Sequence, residues 1–149
     1  RTAMNTKVIA IAALGTAGLL ASVQALAHHS FAAEFDADKK LAMTGVVTKV
    51  EWTNPHVYFF IEVDADGGKF EEWAFEMGSP NGLMRRGWTR DTLEVGTEVI
   101  ISGTQARDGS NKGNAQTVTL AENCQRLFAG TSQRDFVEDD SAKSEGCKP

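Results

Sequence analysis

The sequence has 149 residues, with 20 acidic against 15 basic residues and a formal net charge of −5 at pH 7. A chain of this length accommodates one domain and leaves little room for a second. Because proteins bind a phosphate backbone mainly by neutralising it with lysine and arginine, the acidic balance argues against nucleic acid as a partner.

The first 27 residues have the pattern of a secretory signal. Lys7 supplies a positive charge, residues 8–20 form an apolar run, and Ala25-Leu26-Ala27 is a small-x-small cleavage motif. We expect cleavage after Ala27, export to the periplasm or the medium, and no stable membrane span after processing. The alternative is an uncut segment that anchors the chain, although its small and polar residues make it weakly apolar for a permanent span.

The part that follows, residues 28–130, has the composition of a small β-domain. Ser79 as N-cap and Pro80 at the first helical position predict a short helix that ends near Gly87. Five segments rich in β-branched and aromatic residues predict strands, three before this helix and two after it. This order is typical of a five-stranded Greek-key barrel of the OB type, whereas an immunoglobulin-like sandwich needs about seven strands. The predicted strands occupy residues 41–50, 56–63, 69–77, 97–104 and 115–120.

The C-terminal part contains both cysteines of the chain, Cys124 and Cys147. In an exported protein an even number of cysteines favours a disulfide, which here would stabilise the fold by about 3 kcal/mol. The alternative is a pair of thiolate ligands for Cu(I), although the spacing matches no recognised metal pattern. Residues 131–149 are polar and charged, and we expect them to form a flexible tail unless Cys147 ties them back.

The three histidines of the chain, His28, His29 and His56, are candidate metal ligands. Cleavage after Ala27 would place a free amine and an imidazole on His28, with a second imidazole on His29. Such nitrogen donors suit Cu(II). His56 follows Pro55 at a strand start, where it could supply a third imidazole, and the set resembles a histidine brace that holds copper. The alternative is that His28 is a solvated chain end and that His56 only caps a strand through its ring N–H.

Tryptophan and methionine side chains form a second group of candidates. Trp52, Trp73 and Trp88 either line a ligand-binding face or pack into the core. Met77 and Met84, on either side of the predicted helix, are either thioether ligands for Cu(I) or adaptable core residues. Three carboxylates are candidates for orienting a ligand imidazole, namely Glu34, Glu51 and Glu76.

Three motifs are similar to those of a family of exported bacterial small β-domains of unknown function. They are HHSF at residues 28–31, EWTNPH at residues 51–56, and WAFEMGSPNGLMRRGW at residues 73–88. The resemblance covers roughly residues 28–130 and implies export and one small domain, without an established activity. The tail that carries the cysteines departs from the pattern of this family.

These features lead to three functional hypotheses. The first is a non-enzymatic periplasmic protein that binds, buffers or delivers copper through His28, His29 and His56, with another periplasmic protein as its partner. The second is a metal-free module of the OB type that binds a ligand or a protein. The third, a copper oxidase or monooxygenase, ranks last because a domain of this size leaves little room for a substrate platform.

Overall fold

A computed structural model describes residues 31–65, 68–130 and 147 of the chain. Residues 31–34 are helical and fall in a different compact unit from the one that begins at Phe35. The predicted signal segment, residues 1–27, lies outside the described residues, as do His28, His29 and all of the predicted tail except Cys147. Among the described residues, no helix combines the length and apolar character that crossing a membrane requires.

The unit that begins at Phe35 contains six described strands and one short helix. The helix, α1 (Pro80–Met84), lies between the third and fourth strands. The strands are β1 (Phe35–Glu51), β2 (Tyr58–Asp64), β3 (Phe70–Glu76), β4 (Glu98–Ala106), β5 (Lys112–Leu120) and β6 (Arg126–Phe128).

The strands form one sheet that closes on itself. Its order is β3-β2-β1-β4-β5-β6, and neighbouring strands in this order are antiparallel. The ring closes where Ala74–Glu76 of β3 pair in parallel with Lys112–Asn114 of β5. Three strands, a helix and two further strands in a closed ring confirm the predicted mainly β, OB-like barrel.

The strands differ most from the prediction in three places, and β2 begins at Tyr58, two residues after the predicted start. β1 begins at Phe35, before the predicted start at residue 41, and β5 begins at Lys112 instead of Ala115. β6 was not predicted; its three residues pair with Thr117–Thr119 of β5. These segments are polar or very short, so pairing with neighbouring strands, and not local alternation, makes them extended.

The core fills the inside of the ring and explains which side chains point outwards. Phe59 and Ile61 of β2 and Phe75 of β3 are completely buried, and Phe59 stacks on Phe75 with ring centroids 5.5 Å apart. Side chains alternate along a strand, so Tyr58 and Glu76, the neighbours of Phe59 and Phe75, lie on the outer face. Burial of each large apolar side chain stabilises the fold by about 1.5–3 kcal/mol.

The helix α1 follows its sequence signals. Ser79 Oγ accepts a hydrogen bond from the backbone N–H of Gly82 at 3.2 Å, and Pro80 is the first helical residue. Gly87, with φ +92°, takes the left-handed conformation that ends the helical segment.

Two side chains in the segment after α1 contact β6 and the residues that follow it. Trp88 donates its ring N–H to the carbonyl of Phe128 at 2.8 Å. Arg86 donates to the carbonyl of Gly130 at 2.6 Å, and its guanidinium lies 4.6 Å from the centroid of the Phe128 ring. These contacts stabilise β6, an edge strand that pairs with β5 over only three residues.

Candidate functional site

The connection between β1 and β2 carries His56 and places it beside the end of β3. Within this connection the Asn54–Pro55 peptide is cis, and Thr53 Oγ1 donates to the carbonyl of His56 at 3.3 Å. The N–H of Met77 donates to the carbonyl of Val57 at 2.8 Å. This bond extends the β2–β3 pairing by one step beyond both strands, and from here the side chain of His56 reaches the last residue of β3.

The last residue of β3, Glu76, is the centre of a polar cluster on the outer face of the barrel. Its Oε1 forms a short hydrogen bond with Nδ1 of His56, and its Oε2 accepts a hydrogen bond from the hydroxyl of Tyr58 at 2.5 Å. Tyr58 stands directly opposite Glu76 in the β2–β3 register. The Glu76 side chain is 7 % exposed and that of His56 is 33 % exposed, so solvent reaches the cluster through the imidazole.

The carboxylate of Glu76 determines which nitrogen of the His56 ring carries the proton. An ionised carboxylate only accepts hydrogen bonds, so the contact with Oε1 places a proton on Nδ1 of His56. In the neutral imidazole the other nitrogen, Nε2, then carries the free lone pair. Within the part of the chain that the structure describes, the His56 side chain makes no other hydrogen bond. Nε2 is therefore the nitrogen available to a metal ion or a proton.

Two buried polar residues on the neighbouring strands β5 and β4 lie in register with Glu76. Asn114 of β5 is the register partner of both Glu76 and Thr104 of β4. Asn114 is 2 % exposed and Thr104 is 1 % exposed. Among the residues that the structure describes, neither Nδ2 of Asn114 nor Oγ1 of Thr104 has a hydrogen-bond partner. A buried polar atom without a hydrogen-bond partner lowers the stability of the fold by about 1–3 kcal/mol. A new hydrogen bond from Nδ2 of Asn114 to a nearby acceptor would therefore be favourable.

A cation and an aromatic ring also line the cluster. Nζ of Lys112, in β5, lies 5.7 Å from the centroid of the Tyr58 ring and 5.8 Å from that of Phe35. Phe35 itself is buried. These contacts hold Tyr58 at the outer face of the barrel, where its hydroxyl meets Glu76.

The candidate tryptophans differ in how deeply they are buried. Trp88 is buried in the core. Trp52 and Trp73 are partly buried and pack against the core. The Trp73 ring stacks on Phe75 at 6.2 Å between centroids, and the guanidinium of Arg90 lies 5.9 Å from the centroid of the Trp52 ring. These contacts are those of packed side chains, and a ligand-binding face at the partly exposed Trp52 and Trp73 stays a prediction.

The two candidate methionines lie in opposite environments. Met77 is completely buried, because it continues the inward phase of Phe75 beyond the end of β3. Met84, at the end of α1, is 51 % exposed. A thioether ligand at the surface would therefore have to come from Met84.

The two cysteines form a disulfide, with 5.8 Å between their Cα atoms. Of the two interpretations of Cys124 and Cys147, the structure has the covalent link, and neither sulfur is a free thiolate. The link ties Cys147 to the turn that follows β5.

Of the three candidate orienting carboxylates, Glu76 is the one that contacts His56. Glu51 instead pairs with Nζ of Lys49 at 2.5 Å, and Glu34 lies in the helical segment before Phe35. Sequence reasoning did not single out Tyr58; the signal that identifies it is its position opposite Glu76, which only the strand register reveals.

A complete metal site is not formed by residues 31–65, 68–130 and 147 alone. Among these residues, no three histidine, cysteine, aspartate or glutamate side chains are grouped so that they could hold a metal ion. The two other candidate ligands, His28 and His29, lie outside the described residues. The described cluster therefore supplies one imidazole and the carboxylate that orients it.

Comparison with known proteins identifies a family without a known activity. The model of a family of unknown function, DUF6152, matches residues 17–116. This range includes the three motifs on which the resemblance to an uncharacterised family rests, as well as His56 and Glu76. No curated protein matches the sequence at a significant level.

Proposed function

The chain belongs to the family DUF6152, whose function is unknown, and we propose from its own residues that it is a periplasmic copper-binding protein. In this proposal the signal segment is removed after Ala27, and copper is bound by His28, His29 and His56. The protein binds, buffers or delivers the metal and catalyses no reaction. The observation that carries the proposal is the hydrogen bond between Nδ1 of His56 and the buried carboxylate of Glu76.

A carboxylate on the far nitrogen of an imidazole is characteristic of metal-binding histidines. Such histidines almost always donate their second ring N–H to a carboxylate, a carbonyl or water, which fixes the tautomer and raises the basicity of the ligand nitrogen. A histidine that only caps a strand does not need this partner. Burial of a carboxylate costs several kcal/mol unless it is compensated, so the nearly buried Glu76 supports a specific role for its contact with His56.

The remaining ligands in this proposal come from the processed N-terminus. Cleavage after Ala27 gives His28 a terminal amine and an imidazole, which together form a bidentate nitrogen chelate. With the imidazoles of His29 and His56 this makes four nitrogen donors, a set that suits the tetragonal geometry of Cu(II). The His56 side chain is exposed enough for such a ligand set to reach it.

Titration of the processed protein with Cu(II) tests the proposal. We expect submicromolar binding that weakens by at least about ten-fold in His56→Ala and in a form that retains Ala27, since each loses a ligand or its chelate. Glu76→Gln should weaken binding by about ten-fold, within the range for outer-shell partners. Glu72→Gln, an exposed change on the same strand, is the matched control and should bind as the wild type does.

Two results would contradict copper binding. One is affinity only in the millimolar range, and the other is an affinity that is the same with and without His56. Either result would favour the metal-free ligand- or protein-binding module, because the His56–Glu76 pair would then be a structural contact at the barrel edge.

A further inference from the structure

Tyr58 completes the hydrogen bonding of the carboxylate that holds His56. We propose that Tyr58 is a positioning residue, which acts through Glu76 to keep the His56 imidazole in the tautomer that can bind a metal ion. This inference rests on the proposed copper binding and adds a residue that controls the same site. Tyr58 is not proposed as a ligand, since its hydroxyl donates to Oε2 of Glu76.

The strand register and a short hydrogen bond fix the position of the Tyr58 hydroxyl relative to Glu76. The two residues are directly opposite each other on paired strands, and the distance from the Tyr58 hydroxyl to Oε2 is 2.5 Å. Tyr58 is also paired on its other side, with Glu51 of β1, so its backbone lies inside the sheet. The terminal torsion of a glutamate is broad and roughly two-fold. A hydroxyl fixed on Oε2 removes this freedom and presents Oε1 to His56.

Asn114 is a second donor that could compete with His56 for the carboxylate of Glu76. It is buried, and it is the register partner of Glu76 on the other side of β3. Within residues 31–65, 68–130 and 147, its Nδ2 donor has no hydrogen-bond partner. Neighbouring strands are about 4.8 Å apart, within reach of a glutamate side chain. Without the Tyr58 hydroxyl, the carboxylate can turn towards Asn114 and satisfy this orphaned donor. His56 would then lose the acceptor that keeps its proton on Nδ1.

The consequence for the imidazole can be observed without any metal. Beside an ionised Glu76, a neutral His56 ring makes the contact with a proton on Nδ1, which leaves the lone pair on Nε2. When Glu76 turns away, both neutral tautomers become accessible, and in one of them Nε2 carries the proton and cannot bind a metal. Binding must then select the competent tautomer, which lowers the apparent affinity.

Long-range proton–nitrogen NMR of the metal-free protein measures this tautomer directly. At about pH 8, above the reference range of an imidazole, we expect wild-type His56 to show a protonated Nδ1 and an unprotonated Nε2. Tyr58→Phe should give nitrogen shifts averaged between the two tautomers. Thr53→Val is the matched control, because it removes a hydrogen bond to the His56 backbone without touching the ring, and it should leave the wild-type pattern.

A second variant tests the competition with Asn114. Adding Asn114→Ala to Tyr58→Phe removes the competing donor, so the wild-type tautomer should return at least in part. Two results overturn the proposal: a proton on Nε2 of His56 in the wild type, or an unchanged tautomer in Tyr58→Phe. The wild-type measurement decides the first point even if a variant does not fold.

Copper titration separates this inference from the function on which it rests. We expect Tyr58→Phe to weaken Cu(II) binding by about ten-fold, as loss of an outer-shell partner does. If the wild type does not bind copper, the proposed function fails, while the NMR pattern still decides whether Tyr58 positions the imidazole. If His56→Ala weakens binding and Tyr58→Phe does not, copper binding stands and the role of Tyr58 is refuted.

Discussion

The tightest backbone approach in the barrel lies at Gly103 of β4, and it makes Gly103→Ala a sensitive test of the fold. A Cβ at this position would lie 2.1 Å from the carbonyl oxygen of Asn114 and 3.2 Å from Cα of Ala115. Non-bonded heavy atoms prefer separations of about 3.5 Å, so β4 and β5 would have to move apart locally by roughly 1 Å. Both atoms belong to the backbone of a paired strand, so no side-chain rotation can relieve the clash.

We expect this substitution to lower the free energy of unfolding by about 3 kcal/mol, the upper end of the usual cost of overpacking. Urea denaturation followed by tryptophan fluorescence measures the change. Ser102→Ala, at the neighbouring position of the same strand, is the control and should stay within about 0.5 kcal/mol of the wild type. A Gly103→Ala protein as stable as this control would refute the close approach of β4 and β5 at this position.

Three further predictions concern other parts of the barrel. Cys147→Ser should lower the free energy of unfolding by about 3 kcal/mol in urea denaturation, and a reductant should have no further effect on this variant. Trp88→Phe removes the ring N–H that donates to the carbonyl of Phe128 and should lower the free energy of unfolding by about 1–3 kcal/mol in the same assay; an unchanged midpoint would contradict it. The hydrogen bond from the Ser110 hydroxyl, together with that from its backbone N–H, holds the pKa of Asp108 below its ordinary value. Since the folded pKa is the lower one, this contribution to stability is present above the unfolded pKa and is lost as the pH falls through the folded pKa. Ser110→Ala should therefore raise the pKa of Asp108 in an NMR titration, and an unchanged value would exclude the hydroxyl as its main cause.

The predicted elements that the structure contains are those with strong local signals. The aromatic and β-branched run of β2 and the Ser79-Pro80 start of α1 are determined by residues adjacent in sequence, and both are present. β6 and the beginning of β5 have no such signal. They are extended because distant strands lie beside them, and no local pattern reports that pairing.

The candidate site likewise combines features that the sequence predicted with features that only the folded structure brings together. The sequence by itself determined that His56 follows a proline shortly before a strand and that Glu76 was one of three carboxylates able to orient it. Only the tertiary structure decided which carboxylate does so, because the β2–β3 register places Tyr58 opposite Glu76 and His56 beside it. Closure of the barrel then brings Asn114 to the other side of Glu76. These residues are far apart in sequence, and the pairing of strands, which depends on the whole core, sets the distances between them.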